Sequence, residues 1–278
     1  LKTTSNPLVS IITPVYNGAE YLKQLIESIL LQDYEKIEHL IIDDGSDDNG
    51  ATVAILQKHP HLRWWSRENR GQYPTMNEGM DAARGEIICF ISADDLVAPN
   101  AISRAVNVLN RDPELDGVYG KHQWISITGD LHRYQPTITH GPLAFFCYLT
   151  FIAHCSIYVK ESFLVSNKIR FDESLQYMGD YDWFLNMIAA GPKFTYEDGL
   201  FSSIRSHAGQ TSNRFKSEIR EERNRVFRKH NVSVLGFGII RFARYWLSAI
   251  KRLVLLIRDK RGKEALKLAT DWITRARS

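Results

Sequence analysis

Leu8-Val-Ser-Ile-Ile-Thr13 is an apolar, β-branched run that stops at Pro14-Val-Tyr-Asn-Gly18, a turn signal, and that junction decides the fold. Beyond the turn, Tyr21, Leu22, Leu25, Ile26, Ile29 and Leu30 recur at spacings of three and four, which predicts an amphipathic helix. A second strand follows at Ile37-Glu-His-Leu-Ile-Ile42, stopped by Asp43-Asp-Gly-Ser46. Val53 to Leu56 belongs to another helix, Leu62 to Trp65 reads as a third strand, and Met76 to Ala83 as a helix closed by Gly85. Glu86-Ile-Ile-Cys-Phe-Ile91 is the fourth strand. Strands that alternate with helices pair in parallel through crossovers, so the expectation is an α/β/α sandwich with a mostly parallel sheet. Its ligand site should lie at the strand C-termini.

After about Asp116 the pattern changes. Val118 to Ile127 suggests a hairpin or paired strands, and Pro142 to Thr150 and Gly179 to Ala190 suggest helices. Phe194-Thr-Tyr196 and Leu200 to Ile204 read as two short strands, and from Phe215 the chain is charged and helical. The net charge of +3 divides unevenly. Residues 214–278 hold 18 Lys+Arg against 6 Asp+Glu, whereas residues 1–213 hold 17 against 26. The expected organisation is therefore an acidic domain over 1–213 and a basic helical extension over 214–278. With 44% hydrophobic residues, 17 Gly, 9 Pro and 3 Cys, disordered, collagen-like and disulfide-scaffold classes are excluded. Cys89, Cys147 and Cys155 form no C-x-x-C pair and suit a reduced interior; no signal-peptide pattern opens the sequence, so a cytoplasmic protein is expected.

Polar residues follow the strand ends: Tyr16 and Asn17, Asp43 and Asp44, then Ser92-Ala-Asp94-Asp95. Adjacent carboxylates suit a divalent cation that also meets phosphate oxygens. Alternatively, Asp94 or Asp95 starts the helix led by Pro99, and Asp47 or Asp48 caps the one after Gly45. Neither G-x-G-x-x-G nor a Walker A sequence is present.

Val9-Ser-Ile-Ile-Thr-Pro-Val-Tyr-Asn17, Ile42-Asp-Asp-Gly-Ser46, Gly71-Gln-Tyr-Pro-Thr-Met-Asn-Glu-Gly79 and Ser92-Ala-Asp-Asp95 together resemble family 2 glycosyltransferases. Gly179-Asp-Tyr-Asp182 and Ile204-Arg-Ser-His207 continue the same order, so the resemblance covers roughly residues 8–213. It implies a GT-A fold, a nucleotide-sugar donor, a divalent metal (Mg²⁺ or Mn²⁺) and inversion of the anomeric carbon. Members with the Gly-Gln-Tyr and Gly-Asp-Tyr-Asp segments often build surface polysaccharides. By position, Thr13, Pro14, Tyr16 and Asp44 would line the base and ribose pocket with Arg70 and Asn77 nearby. Asp94 would face ribose or metal, Asp95 would be the likelier metal ligand, and Asp180 would be the catalytic base. Ser92 and Pro74 depart from the pattern, since acidic residues are common at both places.

Inverting transfer needs a base for the acceptor hydroxyl, a stabilised leaving group and an in-line approach. Asp180 opens a predicted helix whose dipole would lower its pKa, although the same position suits a plain helix cap. His154 is a candidate for the acceptor side or for the interior. Arg205 and His207 belong to a segment that either closes over the diphosphate or is plain surface loop. On a helix over 236–258, Arg241, Arg244, Lys251, Arg252 and Arg258 share an arc of about 120°, opposite Ile239, Phe242, Trp246, Ile250, Leu253 and Ile257. That pattern suits an anionic membrane interface rather than nucleic acid, and a lipid-linked or glycan acceptor would make it useful. The rivals are a sugar-1-phosphate nucleotidyltransferase, whose Gly-rich triphosphate loop is missing, and a non-catalytic nucleotide-sugar-binding module.

Overall fold

Three apolar runs become the middle of a sheet because both of their faces are covered, and strands buried on both sides need continuous rather than alternating hydrophobicity. In the computed structural model, which describes residues 6–134, 152–210 and 215–232, these are Val9–Val15 (β1), Ile37–Asp43 (β2) and Ile87–Phe90 (β4). With Arg63–Ser66 (β3) they run parallel in the order β3-β2-β1-β4, in register from Val9 opposite Ile37 to Val15 opposite Asp43.

The helices follow the expected stripes. Leu22–Leu30 (α1) buries Leu22, Leu25, Ile26 and Ile29, and Ala51–Gln57 (α2) buries Leu56. Ala101–Arg111 (α4) buries Ile102, Ala105, Val106 and Leu109. All three lie on the sheet face that carries Val9, Ile11, Val15, Ile41 and Cys89. On the opposite face, Gln72–Ala82 (α3) comes so close that a Cβ on Gly79 would sit 2.3 Å from Ile12 Cγ2. Gly179–Ala189 (α6) covers the same face with Trp183, which packs edge-on against Phe90 at 5.6 Å. The result is the expected three-layer α/β/α sandwich.

The sheet then extends with mixed polarity. Ile157–Lys160 (β8) runs antiparallel between β4 and Gly117–Ile125 (β6); the stretch expected to hold a hairpin within Val118 to Ile127 is thus a single strand, and its antiparallel partner is Leu131–Tyr134 (β7). Phe194–Arg205 (β9) is one continuous strand beside β6, where the sequence suggested two. Its polar interruption, Glu197-Asp198-Gly199, is absorbed by register shifts between Tyr119 and His122. Leu96–Val97 (β5) completes the edge, and Glu161–Ser166 (α5) follows β8. Cys89 and Cys155 are buried free thiols, as expected.

Two compact units divide the chain, Leu1–His230 and Asn231–Ser278. The first continues past the expected boundary at 213 because Lys216–Lys229 (α7) is bonded into it: Lys229 and His230 both pair with the fully buried Asp182. The helix expected at Pro142 to Thr150, Cys147 and the amphipathic segment 236–258 lie outside the described residues. Among the described residues no helix is long and apolar enough to cross a membrane.

Candidate active site

The strand order places a topological switch between β1 and β4, and the loops leaving those strands and β2 gather there, where open α/β sheets bind ligands. The β1 and β2 loops are tied directly: Asn17 Nδ2 and the Tyr16 hydroxyl donate to Asp47 Oδ1 at 2.6 and 3.2 Å, and Asn17 N–H donates to Ser46 Oγ at 2.8 Å. Tyr16 is thereby fixed with half its surface exposed. Gly18 of the same loop lies against Ala93 of the loop after β4.

Asp44 is buried and occupied. Its carboxylate accepts hydrogen bonds from the Arg67 guanidinium and from the backbone N–H groups of Arg70 (2.8 Å) and Gly71 (2.9 Å). Arg67, which sequence reasoning did not single out, also donates to Glu78 and Thr75. Asp44 therefore shapes the 67–71 loop from within, while the Arg70 side chain remains half exposed beside Glu78. Asp43 accepts from Ser46 and Ser66 and is wholly internal. Asp48 accepts from Thr52 N–H and Oγ–H in the first turn of α2, whose N-cap is Gly50.

Two residues expected near the nucleotide face elsewhere. Thr13 is fully buried, and its hydroxyl meets His39 Nε2 at 3.1 Å; burial holds that imidazole neutral, its pKa pushed down to about 3. Asn77 clamps the Phe171 backbone by accepting from its N–H and donating to its carbonyl, both at 3.0 Å, and also donates to Glu173. Pro14 is half-buried at the end of β1, and Pro74 sits in the first turn of α3, where its missing N–H costs nothing. Trp64 packs with the core, and Trp65 donates to Glu78.

The second cluster forms around the loop after β4. Asp94 keeps 28% of its side chain exposed, and its Oδ2 lies 2.8 Å from His207 Nε2. Asp95 is only 4% exposed and accepts from the Arg205 N–H at 3.0 Å; burial, then the charge of Asp94, push its carboxyl well above the usual range. The outward carboxylate is thus Asp94, not Asp95. Neither starts α4, which begins at Ala101 after Asn100.

Arg205 is no closing loop. It ends β9 fully buried, donating to the carbonyls of Asp94, Ser126 and Ile127 and to Gln24 Oε1. Its guanidinium lies 4.6 Å from the centroid of the Tyr21 ring, whose centroid is 5.2 Å from that of His207. It sets the Asp94 backbone and the His207 ring against each other from behind.

Asp180 stands in the first turn of α6, with Met178 as the N-cap, and its Oδ1 accepts from Tyr181 N–H at 2.8 Å. Its pKa is raised, contrary to the helix-dipole expectation, because burial outweighs every stabilising contact; the field of His154 opposes the shift. Burial lowers the pKa of His154, against the pull of Asp180 first and Asp94 second. Its Nε2 lies 3.3 Å from Ser92 Oγ. Ser92, His154, Asp94, His207 and Asp180 thus share one neighbourhood. Among the described residues no three His, Cys, Asp or Glu side chains form a ready-made metal cage.

The "Glycosyl transferase family 2" profile matches residues 10–163, which contain the β1, β2 and β4 loops described above. The chain belongs to glycosyl transferase family 2. It is 33% identical over 227 residues to an uncharacterized glycosyltransferase of Rickettsia typhi, covering 79% of this chain and 70% of that one. To the chondroitin synthase of Escherichia coli it is 29% identical over 245 residues, 85% of this chain and 34% of the relative. It spans 37% of the length of a matching Rickettsia felis glycosyltransferase, so it corresponds to one part of the longer relatives. The fold is that of GT-A glycosyltransferases. S. aureus TarS with UDP-GlcNAc superposes at a TM-score of 0.66 and 18% identity, over 79% of this chain and 65% of that one. The mannosyltransferase PcManGT of Pyrobaculum calidifontis, with GDP-Man and Mn²⁺, superposes at 0.61 and 19% identity, over 98% and 80%.

Proposed function

We propose that this chain transfers a sugar from a nucleoside-diphosphate sugar to a hydroxyl of a glycan or lipid-linked acceptor, with inversion, in the building of a surface polysaccharide. The observation that carries this reading is the cluster at the end of β4, where the outward Asp94 meets His207 at 2.8 Å and Ser92 meets His154 at 3.3 Å. Asp94 would serve the diphosphate end and the half-buried Asp180, whose charge acts on His154, the acceptor end. Tyr16 offers its exposed ring to the base, and Arg70 its side chain to the ribose or phosphates.

Asp180 accepts the acceptor hydroxyl proton. As the O–H bond breaks, that oxygen bonds to the anomeric carbon, the carbon's bond to the β-phosphate oxygen breaks, and the nucleoside diphosphate leaves with the electron pair. A base with a raised pKa holds that proton more readily than an ordinary aspartate would. No protein nucleophile is required. Asp94 and His207 fit a divalent cation: a carboxylate and an imidazole nitrogen side by side suit Mn²⁺ better than Mg²⁺, with diphosphate oxygens as further ligands. When bound, such an ion would offset the negative charge developing on the departing diphosphate.

Binding to the native state stabilises it according to occupancy, so thermal melting with UDP, GDP or ADP, each with and without Mn²⁺, tests the donor side. One base should raise the melting temperature, and more so with Mn²⁺; no shift with any of the three would sink the reading. For the basic segment we propose attachment to the inner face of the cytoplasmic membrane, supported by the sequence pattern, which would set cations opposite apolar residues if 236–258 formed a helix. Vesicles containing phosphatidylserine should sediment the chain at low salt. Replacing Arg241, Arg244, Lys251 and Arg252 by serine should release it; unchanged sedimentation of that variant would refute the attachment.

A further inference from the structure

Glu222 lies in α7, inside the stretch that charge alone assigned to the basic tail, and it is 8% exposed. A buried carboxylate costs several kcal/mol unless donors surround it. Here the Oε atoms accept from three successive backbone N–H groups, Gln176 at 2.9 Å, Tyr177 at 2.6 Å and Met178 at 2.7 Å, and Arg225 approaches to 3.2 Å. The next residue, Gly179, lies against the buried Tyr73 of α3. Its ring is so close that a Cβ on Gly179 would lie 2.6 Å from it. Three consecutive donors leading into α6 are thus held by one side chain from another element, and the Tyr73 ring packs on the residue that follows.

That arrangement exceeds what starting a helix requires, since water or one local cap suffices at an exposed end. It fixes the rotation of the first turn, and therefore where the Asp180 carboxylate points. A second anchor stops α7 from sliding: Lys229 and His230 meet Asp182 at 2.9 and 2.8 Å. We propose that Glu222 is the positioning residue for Asp180, holding the 176–178 backbone so that the carboxylate faces the acceptor; this rests on Asp180 being the base.

The charged and titratable groups facing Asp180 are His154 beside β8, Tyr73 on α3 and Glu222 on α7. Glu222 repels the Asp180 carboxylate and helps to raise its pKa. Glu222→Gln removes that charge and leaves one acceptor oxygen for three donors. Release of UDP or GDP from UDP-GlcNAc and GDP-Man with Mn²⁺ is the readout, beside UDP and GDP affinity and melting temperature. The expected result is kcat lowered by up to about a hundredfold, unchanged nucleotide affinity, and an acid limb of the pH profile shifted to lower pH. Should that variant fail to fold, Glu222→Asp keeps the charge but draws it back by one methylene; kcat should fall with affinity intact. A folded variant with wild-type kcat and limb overturns the proposal, as does parallel loss of affinity and kcat, which would mark general loosening. Asp180→Asn serves as the control. If it turns over like wild type, the base reading fails and the positioning role with it. If it is inactive while Glu222→Gln is unaffected, only the positioning role falls.

Discussion

Asp43 and Asp44 at the end of β2 and Asp180 at the start of α6 are the same residue type at the same kind of place, an element end facing the crevice. Their surroundings differ. Asp43 is enclosed by Ser46 and Ser66, and Asp44 by Arg67 and two backbone N–H groups. Asp180 accepts from Tyr181 N–H, forms no ion pair among the described residues, and lies within the fields of His154 and of another carboxylate. Saturated acids hold a loop in shape; an acid left with spare lone pairs and a raised pKa is available for a proton. The number and kind of donors, not the carboxylate itself, separates architecture from chemistry.

The largest consequence of that contrast is kinetic. Asp180→Asn should lower turnover by about 10²–10⁴-fold while nucleotide binding persists, measured by single-turnover release of the nucleoside diphosphate; full turnover would erase the contrast. In the wild type, activity should fall as pH drops through the raised pKa, at higher pH than an ordinary aspartate would give. Next in size, Asp44→Ala should cost about 3 kcal/mol of stability, because Arg67 and two N–H groups lose their acceptor. The midpoint of urea unfolding reads this, and an unchanged midpoint would show that water replaces the carboxylate. Smallest is a gain. A carboxyl whose folded pKa is raised binds a proton in the folded state that the unfolded chain has released, so the folded state loses stability as pH rises through that window. Asp180→Asn should therefore melt slightly higher than wild type at pH 7, and lower melting would contradict the sign.

The sandwich could be read from the sequence because periodicity is local: the run at 9–15 and the stripe Leu22, Leu25, Ile26, Ile29 declare themselves within a dozen residues. The adjacent pair Asp94 and Asp95 and the helix start at Asp180 could be located in the same way, but which of the pair faces outward could not: burial singles out Asp94 where Asp95 was expected as the metal ligand. What could not be read depended on partners far along the chain. Asn77 meets Phe171, 94 residues away, and Arg205 meets Gln24, 181 residues away. Nothing near either residue signals that its polar groups are already taken. Residues 194–205 misled in another way, since Glu197-Asp198-Gly199 has turn composition, yet a strand can carry it once its neighbour shifts register. Glu222 was hidden by an average: a basic segment does not advertise one inward acid.

The clasp of Glu222 on residues 176–178 also bears on modularity. Grafting the acceptor-facing segment of one relative onto another would be guided by the family match, which ends at 163, or by the acidic-to-basic change near 213. Either cut would part a carboxylate from the three amides it serves. The smallest transplantable unit on this side of the molecule runs from Tyr73 to His230, and recombination between relatives should succeed only where the crossover spares that interval.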